Sequence, residues 1–160
     1  KRLAALDDPA AATLLGKTAV ANSRLVYRRY KQIFRDQAGE FADLAAAGAG
    51  VQRLLWASTG TKNRAYSDTL YIDELIGPDT VTTMPPATID AFRDHGKVAD
   101  TLETDLDGAQ LVFDHLAELQ IDINDLTEQL QVDGVAAFIK SFDSLLEAIA
   151  VKRDELVANR

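Results

Sequence analysis

The sequence predicts an α/β protein that is mostly helical and carries two short parallel strands. Two apolar stretches, 51–57 and 79–84, have the composition of strands, and amphipathic helical patterns occupy nearly all of the remaining chain. Leu54 to Ala57 form an almost continuous apolar run, which is typical of a parallel strand covered on both faces. The order strand, short helix, strand, helix is the rhythm of α/β folds.

Two helices are predicted before the first strand. The Asp-Pro pair at 8–9 provides an acidic cap and a proline, and apolar residues at helical spacing extend this helix to the region 36–39. Tyr27 and Tyr30 are expected to flank its charged face. A shorter alanine-rich helix, 41–47, is closed by glycines.

A loop, 60–68, follows the first strand and leads to a short helical segment, 70–76. Two prolines end the second strand and begin a helix that Gly96 closes. The pattern then predicts a long helix over 105–120.

The carboxy-terminal residues predict two more helices. Asn124 caps a short helix, Gly134 breaks the pattern, and a last helix spans 135–157. The apolar stripes of these helices are expected to face a core.

The composition of the 160 residues excludes several kinds of site. There is no cysteine, and only two histidines are present, so we expect no disulfide, no metal site and no cofactor. No apolar run reaches membrane-spanning length and the amino terminus lacks a signal-peptide pattern, so a cytoplasmic protein is expected. The net charge of −8 argues against a nucleic-acid partner. One basic cluster on the first helix is interpreted as a solvated face: Arg24, Arg28, Arg29, Lys31 and Arg35.

The residues after the first strand have the chemistry of an anion site. Ser58, Thr59, Gly60 and Lys62 lie within five positions of one another. Hydroxyls and backbone N–H groups can cradle a phosphate, a glycine lets the backbone approach closely, and a lysine supplies a mobile charge. The spacing is not that of a Walker A loop. An ordinary polar turn is the alternative to a phosphate site.

The other titratable residues nearby carry no catalytic pattern. Asp68, Asp73 and Glu74 are interpreted as surface charges and helix caps. His95 lies at a helix end, where a cation complements the helix dipole, and His115 lies on a polar helix face.

The stretch Leu-Trp-Ala-Ser-Thr-Gly-Thr-Lys-Asn at 55–63, together with 65–71, looks like the seventh-strand signature of bacterial transaldolases. Residues 74–85 resemble the eighth strand of the same family, and the likeness continues through 90–96 and 134–138. It is strongest for the longer subfamily, which is sometimes fused to a glucose-6-phosphate isomerase. The resemblance covers essentially the whole chain.

The resemblance implies a (β/α)₈ barrel, the TIM barrel, of the pentose phosphate pathway. Such an enzyme moves a dihydroxyacetone unit between sugar phosphates through a lysine Schiff base, at the carboxyl ends of the strands. Ser58 would match the phosphate-contacting serine of the family and Lys62 its nearby cation. Related enzymes place that cation two residues after the serine, where this chain has Gly60.

The strands that carry the family's chemistry are missing from the chain. The Schiff-base lysine belongs to the fourth strand, and its carboxylate partners belong to the first and third. We therefore expect residues 1–160 to be the carboxy-terminal segment of such a barrel, comprising helix six, strand seven, strand eight and the terminal helices. No catalytic residue is expected in it, and alone it should be inactive.

A non-catalytic helical interaction or self-association module is the alternative. Two parallel strands leave both sheet edges unpaired, and a sheet of two strands is not stable alone. Either a larger barrel or partner chains must supply what is missing.

Overall fold

A computed structural model describes residues 2–36, 39 and 41–158. These residues form seven α-helices, two β-strands and a 3₁₀ turn at Leu3–Ala5. The helices are α1 (Pro9–Thr13), α2 (Thr18–Phe34), α3 (Ala42–Ala46), α4 (Leu70–Asp73), α5 (Pro86–His95), α6 (Leu106–Glu118) and α7 (Ile123–Ala158), and the strands are β1 (Leu54–Trp56) and β2 (Thr80–Thr82).

The chain divides into two compact units, Lys1–Leu119 and Gln120–Arg160. The first unit contains both strands and helices α1 to α6, and the second contains α7. No helix in the described part of the chain is long and apolar enough to cross a membrane.

The two strands pair in parallel, as predicted. Leu54 lies opposite Thr80 and Trp56 lies opposite Thr82. Beyond the ladder, both the backbone N–H and the hydroxyl of Thr83 donate to the carbonyl of Trp56, at 3.0 and 3.1 Å. The carboxyl ends of the two strands are therefore fastened together where the polar turn begins.

The strands are shorter and less covered than the sequence predicts. Each has three residues, and the flanks of the predicted 51–57 strand lie outside the ladder. Trp56 is buried, but the side chain of Leu55 is 53% exposed. The prediction of a strand covered on both faces is wrong for the described residues, because Leu55 is left half exposed.

The predicted first helix is two helices. Asp8 accepts a hydrogen bond from the backbone N–H of Ala10 and starts α1, as the Asp-Pro pattern predicts. The helix ends at Thr13, and Gly16, with a φ of 78°, reverses the backbone before α2 begins. The predicted end at 36–39 falls partly on residues 37 and 38, outside the described residues.

An aromatic face of α2 forms the centre of the first unit. Tyr27 and Tyr30 are 2% and 3% exposed, and Lys31 of the charged face lies over the ring of Tyr27. Their rings stack with centroids 5.9 Å apart, and Phe34 continues the row. These side chains occupy positions i, i+3 and i+7 of a helix and so share one face. They pack in a cluster with Val20, Trp56, Leu75 and Leu102.

The basic residues of α2 attach the helix to other parts of the first unit. Arg24 is paired with Glu74 at 2.8 Å and also donates to the carbonyl of Thr101. Lys31 pairs with Glu103 at 2.6 Å, as Arg35 does with Asp79 at 2.7 Å, and Arg28 donates to Gln110. The interpretation as a merely solvated face is therefore incomplete, because four of the five basic side chains bond to residues of other segments.

Helix α6 follows its prediction and packs against α2. Asp105 caps its first turn by accepting a hydrogen bond from the N–H of Gly108 at 2.9 Å. Ala109 and Leu116, two members of the predicted apolar stripe, are buried. The stripe therefore faces a core, as expected.

The second unit contains one continuous helix of 36 residues, α7. The predicted break at Gly134 is wrong, because one glycine weakens a helix by only about 1 kcal/mol. Its N-terminal cap is also different: the carboxylate of Asp122, and not Asn124, accepts the first-turn N–H. The stripe predicted to face a core is exposed by half or more at Phe138, Phe142, Leu145, Leu146, Ile149 and Leu156.

Candidate functional site

The polar turn follows β1 directly and begins with a strained residue. Ser58 has a φ of 58°, in the left-handed region that a serine rarely adopts. Such a conformation costs of order 1–3 kcal/mol and is kept where neighbouring structure enforces it. The turn that the sequence singled out as an anion site is therefore held in a particular shape, with the side chain of Ser58 exposed.

Thr59 and Gly60 lock the turn against the next strand and helix. The hydroxyl of Thr59, which is buried, donates to the carbonyl of Thr83 at 2.5 Å. A Cβ on Gly60 would lie 3.2 Å from the Cγ of Pro85 and 3.4 Å from the hydroxyl oxygen of Thr88. Gly60 therefore permits close packing against the start of α5. The hydroxyl of Thr59 therefore has a structural partner.

Ser58, Thr61 and Lys62 border one cleft of about 410 Å³. The cleft lies within the first unit, and its walls are the turn after β1, one face of α2 and the start of α4. Its remaining lining includes Ser23, Trp56, Asn63, Tyr66, Tyr71 and Leu75. All four residues proposed from the sequence, Ser58, Thr59, Gly60 and Lys62, belong to this lining.

Two polar groups in the wall of the cleft lack hydrogen-bond partners. The indole N–H of Trp56 and the hydroxyl of Thr61 are shielded from solvent, and no described residue bonds to either. A buried donor without an acceptor costs about 1–3 kcal/mol, which a hydrogen bond would restore. The sequence did not point to these groups, because burial and pairing depend on the packing of α2 and α4 against β1.

Lys62 is the cation of the cleft. It is exposed, and within the described part of the chain it makes no ion pair or hydrogen bond. Arg24, a member of the basic cluster on α2, is held by Glu74. The charge of Lys62 is consequently available to an anionic ligand.

The loop that carries Lys62 is fastened again at its other end. The Nε2 of His95 lies 2.8 Å from a carboxylate oxygen of Asp68, and its Nδ1 lies 3.0 Å from Asp94. The hydrogen bond that His95 donates to Asp68, and then the one it donates to Asp94, raises the pKa of His95, and the same bond lowers the pKa of Asp68. Sequence reasoning missed this contact, because 27 positions separate the two residues.

The neighbouring carboxylates are structural, as the sequence predicted. Asp73 accepts from the hydroxyl of Thr69 at 2.7 Å and from the backbone N–H of Lys97 at 2.9 Å. Glu74 is the partner of Arg24. In the residues that the structure describes, no group of three or more acidic or histidine side chains could hold a metal ion.

Comparison with known proteins identifies the family. Residues 2–149 match the sequence model described as transaldolase/fructose-6-phosphate aldolase. The chain belongs to this family. The resemblance noted in the sequence is thereby confirmed.

Curated relatives agree over most of the chain. It is 47% identical over 139 residues to "Transaldolase 2" of Nostoc punctiforme and 48% identical over 143 residues to "Transaldolase" of Trichodesmium erythraeum. It is also 46% identical over 148 residues to "Transaldolase" of Mycolicibacterium smegmatis. The matches include 86%, 88% and 92% of this chain but only 36%, 37% and 39% of these relatives.

The described fold agrees with part of an α/β architecture. Two parallel strands connected through a helix, with helices packed beside them, are what a segment of a larger parallel sheet contains.

Proposed function

We propose that the chain is the carboxy-terminal part of a transaldolase and supplies one wall of its sugar-phosphate site. The transferase would move a dihydroxyacetone unit between sugar phosphates in the pentose phosphate pathway, in the cytoplasm. The family membership and the partial coverage of the relatives support this proposal. The observation that carries it is the cleft at the carboxyl end of β1, where Ser58 and Lys62 meet.

The residues of the cleft have defined tasks in this proposal. The hydroxyl of Ser58 and the ammonium of Lys62 donate to phosphate oxygens, which favour charge-assisted hydrogen bonds. The backbone N–H groups of Thr59 and Gly60 complete the cradle. Trp56 and Thr61 line the same cleft.

The chemical step itself is assigned to a part of the enzyme outside these 160 residues. The resemblance places the Schiff-base lysine on a strand that precedes this segment. A lysine becomes a nucleophile when a desolvated pocket lowers its pKa. Lys62 is exposed, so a phosphate contact suits it better than Schiff-base chemistry.

The kinetics of two variants, Lys62→Ala and Arg64→Ala, test whether Lys62 binds the phosphate of the substrate. In a transaldolase that contains this chain, Lys62→Ala should raise KM for the phosphorylated substrate roughly tenfold, which is the loss of one charge-assisted hydrogen bond, with kcat little changed. Arg64→Ala removes an exposed charge from the same loop but outside the cleft lining, and should leave KM unchanged. Equal KM values for Lys62→Ala and the parent would remove Lys62 from the phosphate site.

A second test asks whether the isolated chain can catalyse the reaction. The isolated 160-residue chain should give no turnover of fructose 6-phosphate and erythrose 4-phosphate in a coupled assay. Turnover by this polypeptide alone would show that the reactive lysine lies within it.

Self-association is a second candidate function, and the exposed stripe of α7 favours it. Phe138 and Phe142 are 80% and 60% exposed. Large exposed apolar patches on soluble proteins usually mark a contact surface. Light scattering of the chain should then show an oligomer that Phe138→Asp dissociates. A monomer at all concentrations would exclude this function.

A further inference from the structure

We propose that His95 is a positioning residue that holds the sugar-phosphate loop, 60–68, in place by binding two carboxylates at once. The proposal rests on the function proposed above for the identity of the ligand. The restraint on the loop is a separate claim and can be tested without any ligand.

The loop is anchored at both ends, and His95 supplies part of the second anchor. At the first end, Thr59 bonds to the carbonyl of Thr83. At the second end, Asp68 bonds to the Nε2 of His95 at 2.8 Å. Between these anchors the loop carries Lys62, and the Tyr66 ring lies against Gly16.

The geometry around His95 favours the charged form of the ring. Both ring nitrogens lie within hydrogen-bond distance of a carboxylate oxygen, and a carboxylate only accepts. Only the imidazolium has two N–H donors. A neutral ring would turn one bare nitrogen toward a carboxylate, and its contact with Asp68 would lose the ion-pair attraction, so the restraint on the loop would weaken on deprotonation.

Carboxylates surround the end of α5, which carries His95. Asp94 belongs to α5, Asp68 belongs to the loop, and Asp73 of α4 bonds to the backbone of Lys97, two residues beyond His95. Arg93 and Lys97 are the cations closest in sequence. These contacts connect the end of α5 to both the loop and α4, so His95 acts on the phosphate site through Asp68.

Trypsin offers a direct measure of the restraint, because Lys62 and Arg64 are exposed cleavage sites in the loop itself. Cleavage after these two residues would be followed by mass spectrometry in the wild type and in His95→Gln, whose side chain does not titrate. The cleavage rate of His95→Gln divided by that of the wild type at the same pH is independent of the pH dependence of trypsin itself. At about pH 6 the variant should be cut about threefold faster, as expected for an exposed ion pair, and the ratio should approach one at about pH 8.5.

Two matched variants complete the experiment. Asp68→Asn removes the partner and should match His95→Gln at about pH 6, whereas His115→Gln replaces the other histidine and should match the wild type. A ratio of one at every pH for His95→Gln would overturn the proposal. A raised ratio that is the same at both pH values would also overturn it, because it would show a structural role without titration.

A binding measurement separates this inference from the proposed function. Fructose 6-phosphate affinity of the chain should be about threefold weaker in His95→Gln than in the wild type at about pH 6, and equal at about pH 8.5. If neither protein binds fructose 6-phosphate while the trypsin ratio changes as expected, the proposed function fails and the loop restraint stands. If both bind equally at about pH 6, His95 does not position the site.

Discussion

At the scale of single residues, Ser58 combines a strained backbone with a proposed phosphate contact. A left-handed φ of 58° is comfortable for glycine and costly for serine or alanine. The strain therefore gives a way to separate the role of the hydroxyl from the role of the backbone.

Ser58→Gly and Ser58→Ala should both weaken sugar-phosphate binding, because both remove the hydroxyl. They should differ in stability: the glycine variant should have a free energy of unfolding about 1 kcal/mol greater than the alanine variant. Urea unfolding measures this difference. Equal stabilities would show that the left-handed conformation is not enforced in solution.

The pair of His95 and Asp68 predicts a pH-dependent free energy of unfolding. Hydrogen bonds to Asp68 and then to Asp94 raise the pKa of His95, so its contribution is fully present below the unfolded pKa and is lost as pH rises through the folded pKa. The bond to His95 lowers the pKa of Asp68, so its contribution is present above the unfolded pKa and lost as pH falls through the folded pKa. The pair therefore stabilises the fold between these two limits.

Urea midpoints at several pH values test this window. The wild type should exceed His95→Gln in slightly acidic solution, and the two should converge in alkaline solution. His115→Gln serves as the control and should follow the wild type throughout. A constant gap across the whole range would contradict the pH dependence.

At the scale of elements, the sequence predicted the parts that local chemistry determines. Asp8 starts a helix where the capping pattern placed it, helix α6 forms where the apolar periodicity placed it, and the apolar run at Leu54 forms a strand. The predicted break at Gly134 failed, because one glycine does not outweigh the neighbouring helix formers. The division of the first helix depends on Gly16, which helical periodicity alone did not reveal.

Two glycines in different elements should respond oppositely to alanine. A Cβ on Gly77 would lie 2.8 Å from the Cβ of the fully buried Leu102, so Gly77→Ala should cost about 1–3 kcal/mol through overpacking. A Cβ on Gly134 meets no atom within 4 Å, and Gly134→Ala should favour α7 by about 0.5–1 kcal/mol. Thermal unfolding and helical circular dichroism measure the two effects.

The contrast between the two glycine variants also tests the continuity of α7. If the helix is interrupted at Gly134 in solution, Gly134→Ala should increase the helical circular dichroism signal by more than the contribution of one residue. A loss of stability in Gly134→Ala would contradict the continuous helix directly.

At the scale of the whole molecule, the site could be predicted only in part. The turn at Ser58 and Lys62 follows from the polar residues after an apolar strand, and the family follows from its motif. The missing partners of Trp56 and Thr61 and the contact of His95 with Asp68 could not be predicted, since packing between distant segments decides which polar groups are paired. The exposed face at Leu55 likewise depends on what covers a two-stranded sheet.

Phosphate binding and the chemical step are assigned to different parts of the proposed enzyme because of the chain's coverage of its relatives and the groups in its cleft. The chain spans 36–39% of the length of three relatives that carry the name transaldolase. Its cleft has hydroxyls and an unpaired lysine, which are groups that bind phosphate. The central claim is therefore that this segment recognises the phosphate of the substrate.

Nuclear magnetic resonance of the isotopically labelled chain tests that claim most directly. On titration with fructose 6-phosphate, the backbone amide signals of residues 58–63 should shift and saturate, and fructose without phosphate should leave them unchanged. Equal responses to the two sugars, or shifts confined to residues away from this turn, would contradict the account.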